Sequence, residues 1–161
     1  MSDAPVPHST EQTEASLPVT LKAGFMGVKS RPFALVITNH RLIFARLTGS
    51  ELKRRTAELK QRAKDEGRGR IARTFAGSGA YSEFARECAA MHPTDLLAQH
   101  PKNFAVDRTT VTKVKLRTVY LQDSQTEDRL TIKTTGKNYK MALTHISIEH
   151  AHQALSMAGM L

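Results

Sequence analysis

The chain has 161 residues, a formal net charge of +9, 40% hydrophobic residues and a single cysteine. This length is sufficient for one domain with its own hydrophobic core, and one cysteine excludes an intrachain disulfide or a cysteine-rich metal framework. The positive charge favours an anionic partner, namely membrane headgroups, nucleic acid or an acidic protein surface. The alternative is that the charge serves solubility only.

The first sixteen residues are rich in Pro, Ser, Thr, Glu and Gln and contain no lysine or arginine. Because this composition buries too little apolar surface to offset the entropy lost on ordering, residues 1–16 are predicted to form a disordered tail. No stretch reaches the roughly 20 apolar residues of a membrane span, and the N terminus lacks signal-peptide character. We therefore expect a cytoplasmic protein, at most peripherally associated with the inner face of a membrane.

A short strand is expected over residues 17–24, followed by a glycine-containing loop. The next stretch, residues 33–47, has two blocks of β-branched and aromatic residues around a polar segment that begins at Thr38. This pattern predicts a β-hairpin with a tight turn. Asn39 is a residue type that adopts the left-handed backbone conformation such turns need.

Residues 50–102 are predicted to be helical or irregular within an otherwise β-rich chain. Ser50 is the expected N-cap of a first helix that ends near Gly67. Its apolar stripe is narrow and consists of Leu52, Thr56, Leu59 and Ala63,.

A second helix is expected over residues 81–91, where Cys88 is predicted to be a buried structural thiol. It is followed by a short helix over residues 96–100, and a proline stops each of the two,.

The last third of the chain has strand patterns at residues 103–106, 111–121, 129–135 and 139–143. In the second of these, apolar Val114 and Leu116 alternate with basic Lys113, Lys115 and Arg117, as on a strand with one buried face. A final helix over about 145–159 is expected, with Thr144 as a candidate cap. The residues expected to face the core are Ile146, Ala151, Leu155 and either Met157 or Ala158.

Several of these segments resemble bacterial PH-like and GRAM-like domains, relatives of the pleckstrin homology fold. The matching pieces are Thr38-Asn-His-Arg-Leu-Ile-Phe44, Met91-His-Pro-Thr-Asp-Leu-Leu97, Asn103-Phe-Ala-Val106, Val111-Thr-Lys-Val-Lys115, Arg129-Leu-Thr-Ile-Lys133 and Gly136-Lys-Asn-Tyr-Lys140. The resemblance implies an α+β fold, in which two nearly orthogonal antiparallel sheets form a partly open barrel capped by the C-terminal helix. It implies one domain over residues 17–161 with a helical insertion at 50–102. Relatives bind lipids, peptides or proteins by unrelated surfaces, so the fold does not identify the ligand.

Basic residues are concentrated in the insertion, where four carboxylates oppose them. We expect anion or lipid binding by these residues together with two from the loop between the first strands: Lys29, Arg31, Lys53, Arg54, Arg55, Lys60, Arg62, Lys64, Arg68, Arg70 and Arg73. The alternative is a solvated helix with ion pairs at i,i+4, for which Glu51–Arg55 and Glu58–Arg62 have the right spacing. Phe75, Tyr81 and Phe84 are candidates for contacts with a protein partner.

The sequence contains no phosphate-binding glycine loop and no nucleophile motif, and its seven histidines show no metal-ligand spacing,. We therefore expect a non-catalytic binding module without cofactor or metal, whose ligand is an anionic membrane surface or headgroup. The alternative is a protein-interaction or assembly domain in which the insertion docks on an acidic partner or on a second copy of the chain. Nucleic acid ranks third, because the aromatic residues of the insertion do not form a stacking platform on strands.

Overall fold

The computed structural model describes residues 10–23, 29–67 and 76–161. Within these ranges the chain is α+β, and three helices lie between the third and fourth strands, in the segment predicted to be helical. The elements are β1 (Thr13–Leu21), β2 (Arg31–Thr38), β3 (Arg41–Arg46), α1 (Gly49–Asp65), α2 (Ala76–Ala90), α3 (Pro93–Ala98), β4 (Phe104–Asp107), β5 (Val111–Tyr120), β6 (Thr126–Thr134), β7 (Asn138–Leu143) and α4 (Ile148–Met157).

The strands form one seven-stranded sheet in the order β4-β3-β2-β1-β7-β6-β5, with antiparallel neighbours throughout. The resemblance implied two sheets. In the structure the two expected sheets are continuous, because β1 forms hydrogen bonds along both of its edges. It pairs with β2 along its length, and Val19–Leu21 pair with Met141–Leu143 of β7. No ladder connects the edge strands β4 and β5 within the described ranges, so the sheet is open.

The predicted hairpin is confirmed: β2 ends at Thr38 and β3 begins at Arg41. The expected left-handed conformation of Asn39 is wrong, since Asn39 is not among the described non-glycine residues with positive φ. The Thr38 hydroxyl oxygen instead accepts the N–H groups of His40, at 3.1 Å, and Arg41, at 2.9 Å. A side-chain acceptor thus stabilises the turn without a left-handed residue.

The predicted boundary of the tail at residue 16 is also wrong, because β1 begins at Thr13. Upstream of it, the Glu11 carboxylate accepts hydrogen bonds from Arg41, at 2.8 and 3.1 Å, and from the Thr38 hydroxyl, at 2.7 Å. Burial alone would raise the pKa of Glu11, but these bonds outweigh it and lower the pKa,. The segment is thus ordered by polar contacts that its composition does not reveal. Residues 1–9 lie outside the described ranges.

The sheet has an apolar layer on each face. On the inner face, strand residues such as Leu17, Phe44 and Ile132 pack with Ala151 and Leu155 of α4.

On the outer face, Val36 and Ile43 pack with Phe84 and Cys88 of α2 and with Leu96 of α3. Strands β2 and β3 are therefore buried on both faces, which explains their unbroken apolar run. Burial raises the pKa of the Cys88 thiol to about 12, as expected of a structural cysteine.

Two helices are capped by residues other than the predicted ones. Thr48, rather than Ser50, caps α1 and accepts the Glu51 N–H at 3.2 Å. Ser147, rather than Thr144, caps α4, because the Thr144 hydroxyl is hydrogen-bonded to Thr20.

At the end of the last helix, Ala158 is buried and Met157 is exposed, so Ala158 is the one of the two that faces the core.

In the described part of the chain, no helix has both the length and the apolar character required to cross a membrane.

Candidate anion-binding face

The two halves of the outer face of the sheet differ in what covers them. Helices α2 and α3 cover the half formed by β1–β3. Side chains alternate along a strand, and Val114, Leu116, Leu130, Ile132 and Met141 pack into the inner core. The residues between them on β5, β6 and β7 therefore project from the outer face, and most of these are exposed.

We name this open half the basic sheet face. It carries seven cations, contributed by β5, β6, β7 and the end of β1: Lys22, Lys113, Lys115, Arg117, Arg129, Lys133 and Lys140. The register sets Lys113 directly opposite Lys133, and Arg117 directly opposite Arg129. Like charges in directly opposed cross-strand positions are destabilising.

One carboxylate, Glu127, lies within this array. It accepts hydrogen bonds from Lys22 at 2.5 Å and from Arg129 at 2.6 Å. Burial would raise the pKa of Glu127, but these two cations outweigh it and lower the pKa,. Two of the seven cations are thereby neutralised in part.

The other five cations, Lys113, Lys115, Arg117, Lys133 and Lys140, are exposed and form no ion pair with any described residue. The face therefore presents an uncompensated positive charge to solvent, on an open sheet surface.

The arginines of α1 are arranged differently. Arg54 contacts Glu58 at 2.9 Å and Glu51 at 3.9 Å, and Arg62 contacts Glu83 of α2 at 3.6 Å. Of the two ion pairs expected at i,i+4, Glu51–Arg55 is present at 3.0 Å. The expected pair Glu58–Arg62 is wrong, because Glu58 contacts Arg54 and Arg62 contacts α2. Lys53, Lys60 and Lys64 are exposed and have no ion pair within the described part of the chain.

Arg55 is not part of an anion-binding surface, contrary to the prediction. Its side chain is 8% exposed and contacts Glu51 at 3.0 Å, Glu83 at 3.4 Å and Glu87 at 2.5 Å, with its guanidinium over the ring of Phe84. The hydrogen bond to Glu87 is the largest contribution that raises the pKa of Arg55. Arg55 is the centre of an ion-pair cluster that joins α1 to α2.

The remaining candidates are spread over the molecule. Phe84 is buried against the sheet and offers no surface to a partner, which corrects its assignment as an interaction residue. Tyr81 is half-buried, with its ring 5.1 Å from that of His145. Lys29 and Arg31 lie on the exposed surface before and at the start of β2. Four candidates lie outside the described residues: Arg68, Arg70, Arg73 and Phe75.

Comparison with protein-family models, with curated proteins and with solved structures returns no match. The function is therefore inferred from the charge and geometry of the basic sheet face. The sequence shows the alternation of Lys113, Lys115 and Arg117 on one strand. It does not show that β6 and β7 add further cations beside them, because that depends on strand order and register.

Proposed function

We propose that this protein is a non-catalytic binding module that associates with an anionic membrane surface through the basic sheet face. The observation that carries the proposal is the set of five exposed cations on one open face that form no ion pair with any described residue. An anionic surface compensates the cross-strand repulsion that the face otherwise retains. Each basic residue close to an anionic leaflet contributes about 1 kcal/mol.

The proposal includes a PH-like fold. Three features support it: the strand order, in which β1 links a four-stranded half to a three-stranded half; the helix α4 on the inner face; and the insertion between β3 and β4. These agree with the segments in which the sequence resembles that family.

A membrane is favoured over nucleic acid by the residues beside the face. Tyr139, the tyrosine of β7, is stacked on Phe44 in the core, so it offers no platform to bases,. Tyr120 is 85% exposed and Leu121 is 38% exposed at the end of β5, where the hairpin that carries the face turns. An exposed tyrosine beside an apolar residue is suited to the headgroup region of a bilayer.

Sedimentation with lipid vesicles tests this proposal. Vesicles of phosphatidylcholine alone are compared with vesicles that also contain phosphatidylglycerol, at about 0.1 M and about 0.5 M salt. We expect association only with the anionic vesicles, and a marked loss at the higher salt because the face is exposed and screened.

Three results would contradict the proposal: no association, equal association with neutral vesicles, or association that salt does not change. A duplex or single-stranded oligonucleotide is assayed in parallel by fluorescence anisotropy. Binding to the oligonucleotide without binding to vesicles would assign the face to nucleic acid instead.

A further inference from the structure

We propose a second site, a cleft that binds a phosphate monoester, on the outer side of β1 between α2 and the loop that joins β7 to α4. The cleft has a volume of about 410 Å³, within the range of small-molecule sites. The site stands independently of the membrane proposal, because a soluble phosphate compound tests it without vesicles.

The polar lining of the cleft matches an anion. It consists of one guanidinium, two imidazoles and three hydroxyls, and no lining residue is acidic: Arg86, His145, His150, Ser16, Ser82 and Ser147. All of these groups can donate a hydrogen bond, and the guanidinium forms charge-assisted bonds with phosphate oxygens.

Helix α2 separates opposite charges onto two faces. Ser82 and Arg86 are four residues apart and line the cleft together,. Glu83 and Glu87 are likewise four residues apart, but their carboxylates contact Arg55 of α1 on another face. Arg86 is exposed and has no ion pair with any described residue. The Arg55 cluster thus holds the nearby carboxylates and leaves the Arg86 guanidinium available to a ligand.

His145 is held in place by an unusual backbone and by two side chains. Its φ is +54°, in the left-handed region that non-glycine residues rarely adopt,. Its ring lies 5.1 Å from the ring of Tyr81, and its Nδ1 is 3.3 Å from the Ser78 hydroxyl oxygen. The Nε2 atom has no hydrogen-bond partner in the described structure. Strain at a lining residue, maintained by contacts with α2, is typical of a binding site.

The apolar part of the lining selects for an organic phosphate over the bare ion. Pro18 and Ala85 are buried and Ile146 is half-buried. They supply a surface for the carbon atoms attached to the phosphate.

The location allows two sources of such a ligand. Pro18 and Lys22 both belong to the outer face of β1, about 13 Å apart at the usual rise per residue. The cleft therefore opens on the same side of the sheet as the basic sheet face. The phosphate monoester is either that of a soluble metabolite or the headgroup of a lipid in a membrane bound to that face.

The test uses phenyl phosphate as the probe, with calorimetry for affinity and NMR for the imidazole signals of His145 and His150. We expect the probe to bind and to shift both signals. Arg86→Gln should weaken binding roughly tenfold to a hundredfold, since it removes charge-assisted hydrogen bonds. Arg54→Gln, the same change of an exposed arginine on α1 that lies outside both the cleft and the basic sheet face, should leave the affinity unchanged.

Three results would overturn the site: no binding of phenyl phosphate to the wild-type protein, equal affinity of the Arg86→Gln variant, or loss of binding in Arg54→Gln. A failure of the vesicle experiment leaves this measurement unaffected, so the two proposals fail separately.

Vesicles then distinguish the source of the phosphate. If Arg86→Gln lowers association with phosphatidic acid vesicles but not with phosphatidylglycerol vesicles, the site takes a lipid phosphomonoester. If Arg86→Gln changes neither association while phenyl phosphate binding is lost, the site takes a soluble phosphate monoester.

Discussion

Helix α1 and the basic sheet face are both rich in lysine and arginine. The arginines of α1 have carboxylate partners, whereas its three exposed lysines and the five exposed cations of the face have none among the described residues. Each arginine of α1 contacts a carboxylate, either one turn away on the same helix or on α2. On the sheet face, cation is set against cation across the strands. A count of basic residues therefore does not locate free positive charge. What locates it is whether a carboxylate lies within reach in the folded chain.

The largest effect is expected from reversing charges on the face. Changing Lys115 and Lys140 together to Glu should weaken association with anionic vesicles by roughly 30- to 700-fold, since each basic residue contributes about 1 kcal/mol and reversal adds repulsion. The matched control changes Lys53 and Lys60 of α1 to Glu, because both lysines are also exposed and have no ion pair with a described residue. We expect the control to bind nearly as the wild type does in vesicle sedimentation.

Equal losses in the two variants would show that overall charge, and not the face, drives association. A loss of vesicle association confined to the α1 variant would assign the binding surface to the insertion and contradict its assignment to the basic sheet face.

The second prediction concerns stability. Arg55→Met should lower the free energy of unfolding by roughly 2–3 kcal/mol, because it leaves the partly buried Glu51 and Glu83 and the exposed Glu87 without their shared cation,. Arg117→Met on the exposed face should change it by less than about 0.5 kcal/mol. Urea denaturation followed by circular dichroism measures both values. Equal effects would mean that the cluster around Arg55 contributes no more than a solvated charge.

The third prediction concerns pH. The hydrogen bond from Arg55 holds the pKa of Glu87 below its ordinary value of 4.5, against the opposing effect of burial. The folded state therefore favours the charged carboxylate. The stability this provides is complete above about pH 4.5 and is lost as the pH falls through the lowered pKa.

In Arg55→Met the bond is absent, so protonation of the glutamates at low pH relieves their repulsion. The difference in unfolding free energy between wild type and variant should thus narrow from about pH 7 to about pH 3.5. Urea titrations at both pH values measure it, and a constant difference would contradict the assigned role of Arg55.

The smallest expected change in unfolding free energy tests the cross-strand pair Lys113–Lys133 directly. Lys133→Glu sets a carboxylate opposite Lys113 and should raise the free energy of unfolding by about 0.5 kcal/mol, since opposite charges across strands are stabilising. The same variant should bind anionic vesicles less tightly than the wild type. Lys133→Gln, which removes the charge without forming a pair, should give a smaller gain in stability. A variant that is less stable than the wild type would show that the register does not bring the two lysines together.

Much of the fold follows from local patterns in the sequence. The hairpin at residues 33–47, the apolar stripe of α1 and the alternation along β5 each depend on residues within a few positions, and each is present in the structure. The caps were missed by a few residues, because several neighbouring hydroxyls can serve and tertiary hydrogen bonds select among them.

Other features are decided by contacts between distant residues. The sequence predicts a surface position for Arg55 because Glu51 is its only carboxylate partner on the same helix. Its other two partners, Glu83 and Glu87, lie 28 and 32 residues further along the chain. Glu11 is ordered by Arg41, 30 residues away. The unbroken apolar runs of β2 and β3 do indicate burial on both faces, since strands buried on both faces lack the alternation of apolar and polar residues.

The alternation of basic residues along β5 can be read from the order of amino acids in that one segment. That these residues lie on an open face depends on contacts between distant segments: the strand order beside them, a register that sets Lys113 against Lys133, and helices that cover the other half of the sheet. Side-chain alternation is a property of each strand's own backbone, whereas the charge that a surface presents depends on what packs against it.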